Sequence, residues 1–123
     1  MPRTKTILIV EDDPHFLEAV IDALEYDGYR VLSAGNGQEA LCVLGAAPTL
    51  PDLILLDVML PVMNAWGFLD ARSANPALVR IPVILLSGER NLQCRASELA
   101  LAGALIKPVK LDVLLSMVRT HTM

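Results

Sequence analysis

The 123-residue sequence contains no apolar run that approaches the roughly 20 residues needed to span a bilayer. The N-terminal stretch MPRTKT also lacks the apolar segment of a signal peptide. We therefore expect a cytoplasmic protein with no membrane contact. The net charge is -4, and Lys and Arg form no dense stripe. Direct binding to nucleic acid is not expected, because neutralising phosphates requires a basic face.

Cysteine is scarce, and the sequence shows no internal repeat, low-complexity segment or linker. Cys42 and Cys94 are far apart and have no neighbouring His or Cys, so we expect buried free thiols rather than a metal site. The composition, 54% hydrophobic and 20% charged, is sufficient for a substantial core. We expect one domain over residues 1–123.

Five short apolar segments have the composition of strands that are buried on both faces. They are residues 6–10, 30–34, 52–56, 81–86 and 104–106. After each one, apolar residues recur at spacings of three and four, which predicts five helices. The fourth helix is predicted from Leu92, Ala96, Leu99 and Ala100. This alternation predicts an α/β fold, with a doubly wound parallel sheet between two layers of helices.

Polar residues with cap chemistry stand where three of these helices should begin. Asp13 precedes Pro14, which is typical of an N-cap followed by a first-turn proline. Asn36 with Glu39 has the spacing of a capping box, and Asn64 is placed to cap the third helix. These residues support the same division of the chain.

Charged or hydroxyl residues follow four of the five predicted strands: Glu11 and Asp12, Asp57, Ser87 and Lys107. In an open doubly wound sheet, ligands bind at the carboxyl ends of the strands. Singly, Ser87 is typical of a turn and Lys107 of a solvated surface. Asp57, however, interrupts the apolar stretch DLILLDVMLP, and a buried carboxylate is costly unless a cation compensates it.

A magnesium ion would balance the charge at this edge. Glu11, Asp12 and Asp57 bring three negative charges, Lys107 returns one positive charge, and a divalent cation returns two. Mg²⁺ prefers oxygen ligands, whereas zinc would require His or Cys. An oxygen of Asp57 could then attack phosphorus and form an acyl phosphate, with Lys107 and Ser87 stabilising the phosphoryl oxygens.

The stretches ILIVEDDP, NGQEAL, DLILLDVMLPVM, PVILLSG and IKP, in this order, resemble the receiver domain of bacterial two-component response regulators over essentially the whole chain. The resemblance implies that Asp57 is the phosphoacceptor and that Asp12 binds Mg²⁺ directly. It implies that Glu11 binds Mg²⁺ directly or through water, and that the backbone carbonyl of Met59 completes the ligands. Ser87 and Lys107 would contact the phosphoryl group.

The resemblance further implies a flavodoxin-like sheet in the order 2-1-3-4-5 with five helices, and a cis bond between Lys107 and Pro108. The phosphoryl donor would be a phosphohistidine on a sensor histidine kinase or a histidine phosphotransfer protein. The output would be a shift in the face formed by the fourth helix, the fifth strand and the fifth helix, read by an effector that the sequence does not name. The chain would be a signalling phosphoacceptor rather than an enzyme, and weak homodimerisation is compatible with this role.

Three departures from the family pattern affect the output rather than the acceptor site. The family usually carries Tyr or Phe three residues before the lysine, and here that position is Ala104. The common Met-Asp-Gly after the third strand is Met63, Asn64 and Ala65. The stretch ALAGALIKP before the lysine is also short.

The resemblance also implies that Met59 and Glu89 flank the phosphoryl group and influence its hydrolysis. Because Met59 is apolar, it would offer an attacking water no hydrogen-bond partner, so we expect a long-lived phosphorylated form. Trp66, near the start of the third helix, is expected to be partly exposed.

Three other kinds of protein share part of this pattern. A receiver-like interaction module or phosphate sink remains open because of Ala104. A haloacid-dehalogenase-type phosphatase expects a second Asp two residues after the nucleophile, where this chain has Met59. A flavodoxin-like flavin binder would need a phosphate loop after the first strand, where three acids stand instead.

Overall fold

The computed structural model describes residues 4–88, 96, 97 and 99–123. The strands are β1 Thr6–Val10, β2 Arg30–Ala34, β3 Leu53–Asp57, β4 Val83–Ser87 and β5 Gly103–Ile106. The helices within these residues are α1 Pro14–Tyr26, α2 Gly37–Ala46, α3 Ala65–Ser73 and α4 Leu111–Thr122. Within the described residues, the helix count is therefore one lower than predicted. Most of the predicted fourth helix lies outside the described residues, although Ala96 and Ser97 are helical.

The five strands form one parallel sheet in the order β2-β1-β3-β4-β5, which confirms the predicted α/β architecture and strand order. The two central strands, β1 and β3, are direct neighbours. Val10 pairs with Leu56 across them, so Glu11 and Asp57 each follow a paired residue at the same edge of the sheet.

Alternating strand residues point to opposite faces of the sheet, and two of the four helices given above pack against each face. One buried cluster joins strand residues such as Leu8, Ile54 and Leu85 to residues of α2 and α3. The other joins Ile9 and Leu55 to residues of α1 and α4. Every residue of β3 and β4 is buried, which explains why their sequences are continuously apolar.

The two fully buried strands, β3 and β4, extend one residue beyond their predicted ends. Asp57 is the last residue of β3 and pairs with Leu86, and Ser87 is the last residue of β4 and pairs with Ile106. A polar side chain at the sheet edge does not interrupt the backbone ladder, so the strands end later than their apolar pattern. The backbone of Asp57 is consequently fixed by its pairing with β4.

The structure confirms the three predicted helix caps. The Oδ1 atom of Asp13 accepts a hydrogen bond from the backbone N–H of His15 at 3.0 Å. Asn36 Oδ1 accepts one from the N–H of Glu39 at 2.9 Å, and Asn64 Oδ1 accepts one from Gly67 at 3.1 Å. Asp13 is therefore the N-cap of α1, and its role differs from that of the two acids that precede it.

The prediction of buried thiols is wrong for Cys42, which is exposed on α2. The buried face of that helix carries Ala40 and Leu44, and Cys42, midway between them, is turned toward solvent. Cys94 and Glu89 lie outside the described residues. Trp66 is partly exposed, as predicted.

No helix in the described part of the chain has both the length and the apolar character required to traverse a lipid bilayer.

Candidate functional site

The carboxyl ends of β1, β3 and β5 bring the predicted site residues together. Glu11 directly follows β1 and is buried, whereas Asp12 beside it is exposed. Asp57 ends β3 and is buried, and Lys107 directly follows β5. These four side chains come from three strands, so their proximity depends on the sheet order.

Lys107 connects the two buried acids. Its Nζ atom lies 2.8 Å from Oε1 of Glu11 and 3.3 Å from Oδ2 of Asp57. The other oxygen of Asp57, Oδ1, accepts a hydrogen bond from the backbone N–H of Met59 at 3.3 Å. The Asp57 carboxylate is thus held from both sides, by an ammonium group and by the loop that follows β3.

Three carboxylates form a compact acidic cluster at this edge. One oxygen from each of Glu11, Asp12 and Asp57 lies within 4.8 Å of the others. Asp13, the third acid of the opening run, caps α1 instead. The structure therefore places Asp12 beside Asp57, as a shared cation would require.

The electrostatics of the site differ between its members. Burial, together with the neighbouring Asp57, raises the pKa of the Glu11 carboxyl to about 8, although Lys107 opposes this shift. Burial alone would lower the pKa of Lys107, but hydrogen bonding to Glu11 and the charge of Asp57 outweigh it and leave that pKa raised. One ammonium therefore does not fully compensate the buried negative charge.

The donor set fits a hard divalent cation. Oε2 of Glu11 is buried and has no hydrogen-bond partner among the described residues, so one oxygen of the cluster is available to a cation. The cluster consists of carboxylates alone, and such oxygen ligands suit Mg²⁺ or Ca²⁺ better than zinc. The acidic cluster can accordingly hold a divalent metal ion.

Ser87, Met59 and Ala104 complete the surroundings. Ser87 is buried at the end of β4, and its backbone carbonyl accepts a hydrogen bond from the N–H of Lys107 at 2.8 Å. The Met59 side chain is 72% exposed on the loop after β3. Ala104 is buried in β5. The Lys107–Pro108 peptide bond is cis, as predicted.

Sequence reasoning missed Phe16 as a neighbour of the site. Its ring centroid lies 5.0 Å from Nζ of Lys107, within the roughly 6 Å at which a cation is attracted to a ring face. The available signal was an aromatic residue in the first turn of the helix that follows the acidic pair. That signal is weak, because residues 16 and 107 are far apart in the sequence and come into contact only in the folded protein.

Val62, on the loop after Asp57, adopts a conformation that disfavours a β-branched residue. Its φ is 64°, in the left-handed region, while the N–H of Met63 donates to the carbonyl of Pro61 at 2.6 Å. The side chain is 85% exposed, so little packing offsets the strain.

Replacing Val62 by Asn is expected to raise the free energy of unfolding by about 1 kcal/mol, because Asn tolerates the left-handed region and little apolar burial is lost. Urea denaturation of the two proteins measures the difference. Val79→Asn is the matched control, since Val79 is also partly exposed and does not have a positive φ. Equal effects of the two substitutions would contradict the assignment of strain to Val62.

A family model described as the response regulator receiver domain matches residues 7–119. The probable chemotaxis protein CheY of Rhizobium etli is 31% identical over 109 residues, which cover 86% of this chain and 83% of that protein. The probable transcriptional regulatory protein TcrX of Mycobacterium tuberculosis is 38% identical over 99 residues, which cover 80% of this chain. This chain spans 40% of the length of TcrX and 26% of a probable cyclic di-GMP phosphodiesterase of Vibrio cholerae.

Solved structures agree in fold. A putative response regulator from Chloroflexus aurantiacus superimposes with a TM-score of 0.87 at 27% identity, covering 98% of both chains. The signal receiver domain of a histidine kinase from Syntrophus aciditrophicus gives a TM-score of 0.84 at 36% identity, covering 97% of this chain and 90% of the other. The comparisons match the family that the sequence motifs resemble.

Proposed function

Because the chain belongs to the response regulator receiver domain family of two-component systems, we propose that Asp57 accepts a phosphoryl group from a phosphohistidine in a Mg²⁺-dependent reaction. The observation that carries this proposal is the position of Asp57. Its buried carboxylate contacts the ammonium of Lys107 and lies beside the carboxylates of Glu11 and Asp12. A carboxylate in this setting combines a nucleophilic oxygen with partners for a transferred anion.

In the proposed reaction, one oxygen of Asp57 attacks the phosphorus atom of the donor. The new O–P bond forms as the P–N bond to the donor imidazole breaks, and the imidazole nitrogen keeps the bonding electron pair. Phosphoryl transfer depends mainly on positioning and on compensating charge at the phosphoryl oxygens. The hydrogen bond from Met59 N–H to Oδ1 and the contact of Lys107 with Oδ2 support the positioning of the carboxylate.

Charge compensation would come from several sides of the pocket. Glu11, Asp12, Asp57 and the backbone carbonyl of Met59 would hold Mg²⁺, which when bound neutralises charge on the phosphoryl oxygens. Lys107 would contribute its ammonium to the same oxygens. The hydroxyl of Ser87, at the end of the neighbouring strand, would donate a hydrogen bond.

The proposed role is that of a signalling phosphoacceptor, not of an enzyme that turns over a separate substrate. Receiver domains interact with histidine kinases and with downstream effectors, so a sensor kinase or a histidine phosphotransfer protein is the proposed donor. We also propose that the surface read by an effector is the face formed by β5 and α4, together with the segment that precedes β5. Since Ala104 carries no ring, the change there cannot use an aromatic side chain at that position.

The direct test is incubation of the purified chain with acetyl phosphate and Mg²⁺, followed by intact-mass measurement. We expect a mass increase of one phosphoryl group with Mg²⁺ and none when EDTA replaces the metal. Absence of the adduct in both samples would contradict the proposed function. An equal adduct in both would contradict its dependence on Mg²⁺.

Replacing Met59 by Asn is expected to shorten the lifetime of the phosphorylated form by about fivefold, the effect of one hydrogen bond of ordinary strength to an attacking water. The Met59 side chain is exposed, so the fold should tolerate the change. The measurement is the decay of the phosphorylated mass after removal of the donor. Met59→Leu, which stays apolar, should decay like the parent; equal lifetimes for all three proteins would end this explanation.

A further inference from the structure

Lys107 has an uncharged neighbour in addition to the two carboxylates. Its Nζ atom lies 5.0 Å from the centroid of the Phe16 ring, while Glu11 Oε1 and Asp57 Oδ2 lie 2.8 Å and 3.3 Å away. Phe16 stands in the first turn of α1 and packs against the buried cluster shared by α1 and α4. Its ring is therefore held in place by the core rather than by the charged site.

The attraction of the Phe16 ring for Lys107 should persist when a cation binds, whereas that of the carboxylates should weaken. Glu11 and Asp57 are the groups proposed to hold Mg²⁺, so a bound divalent cation would take up the negative charge that now attracts Lys107. It would also repel the ammonium directly. The attraction of Phe16 for the ammonium comes from the electrons of the ring face and does not depend on either carboxylate.

The side chain of Lys107 can adopt several conformations, so a contact with the Phe16 ring can influence where its ammonium lies. It is 30% exposed and carries several rotatable bonds, so the carboxylates alone fix its position only while they are available. A ring in contact with the ammonium limits the orientations that remain. This contact is absent from the set of acids, hydroxyl and lysine that the sequence motifs identify.

We propose that Phe16 is a positioning residue for Lys107, keeping its ammonium at the phosphoryl site once the carboxylates are engaged by the cation. The inference rests on the proposed function of Asp57 and Lys107. Phe16 acts through Lys107 and not on the phosphoryl group itself. The same contact would also limit the orientations open to the lysine in the metal-free protein.

The contact itself is tested by NMR with saturating Mg²⁺ and no phosphoryl donor. In the parent, the ring should shift the ε-methylene protons of Lys107 upfield from their usual position. Phe16→Leu should abolish this shift, and Phe16→Tyr should keep it. If the parent and Phe16→Leu give the same Lys107 shifts, the proposal is overturned, whatever the outcome of the phosphorylation assay.

The effect on the reaction is tested by the initial rate of phosphorylation with acetyl phosphate and saturating Mg²⁺. Phe16→Leu should react about two- to fivefold more slowly, as expected for loss of one partly exposed cation–π contact, and Phe16→Tyr should react like the parent. In a Lys107→Met background, Phe16→Leu should cause no further loss. An additive loss in that background, or an equal loss in the Tyr variant, would indicate a merely structural role. A parent that gains no phosphoryl group would instead refute the proposed function, and the NMR result would still decide whether the ring holds the lysine.

Discussion

Replacement of Asp57 by Asn is expected to abolish the phosphoryl adduct, lowering the rate of its formation by at least about 10³-fold, the scale found when a nucleophile is removed. The amide keeps the size of the carboxylate but lacks its anionic oxygens. Because Asp57 is buried and raises the pKa of Glu11, losing its charge relieves repulsion within the site. The variant should therefore fold, and lost uptake would not reflect an unfolded chain.

Asp13→Asn is the matched control for this experiment. Asp13 belongs to the same run of acids near the site, but its side chain caps α1 through the N–H of His15, and Asn is an equally good cap. We expect the control to gain the phosphoryl group like the parent, as judged by intact mass. An Asp57→Asn protein that gains the group at the parental rate would place the acceptor on another residue.

The second large effect is expected for Asp12. Replacing Asp12 by Asn should weaken Mg²⁺ binding by at least about tenfold, because it removes one charged oxygen ligand from a cluster of three. Asp12 is the exposed member of the cluster, so its substitution should disturb the fold least. Isothermal titration calorimetry measures the affinity directly.

Asp13→Asn again provides the comparison, since it removes the same formal charge one residue further along the chain. If both variants bind Mg²⁺ equally, the effect is one of overall charge and the cation does not lie at the acidic cluster. If only Asp12→Asn loses affinity, the two neighbouring acids have separate roles. The same titration with the Asp57→Asn protein would show whether the acceptor carboxylate also contributes to metal affinity.

Much of the fold follows from the sequence because its apolar pattern is unambiguous. β3 and β4 are buried on both faces, and their uninterrupted apolar runs predict strands of a covered parallel sheet. Alternation alone does not give the strand order; that came from the resemblance to receiver domains. Asp57 was identifiable because a carboxylate interrupts a run that would otherwise remain apolar.

Other features could not be predicted because they depend on contacts between distant residues. The partial exposure of a helix position is finely balanced, and Cys42 lies on the solvent side of α2 although the helix is rich in apolar residues. The contact between Phe16 and Lys107 requires α1 and the end of β5 to be placed relative to each other. The raised pKa of Glu11 likewise results from burial and from Asp57, which lies 46 positions further along the chain.

Asp52, just before β3, and Asp57, its last residue, also have a role in aligning β3 with β1. Because this strand is apolar on both faces, its Leu and Ile side chains distinguish poorly between one pairing with β1 and the next. A shift of β3 by one residue toward its own N-terminus would draw the Asp57 carboxylate into the apolar interior. Displacement in either direction would break the 2.8 Å hydrogen bond that Asp52, just before β3, accepts from the N–H of Thr6. The residue proposed to receive the phosphoryl group thus also favours the observed alignment of β3 with β1.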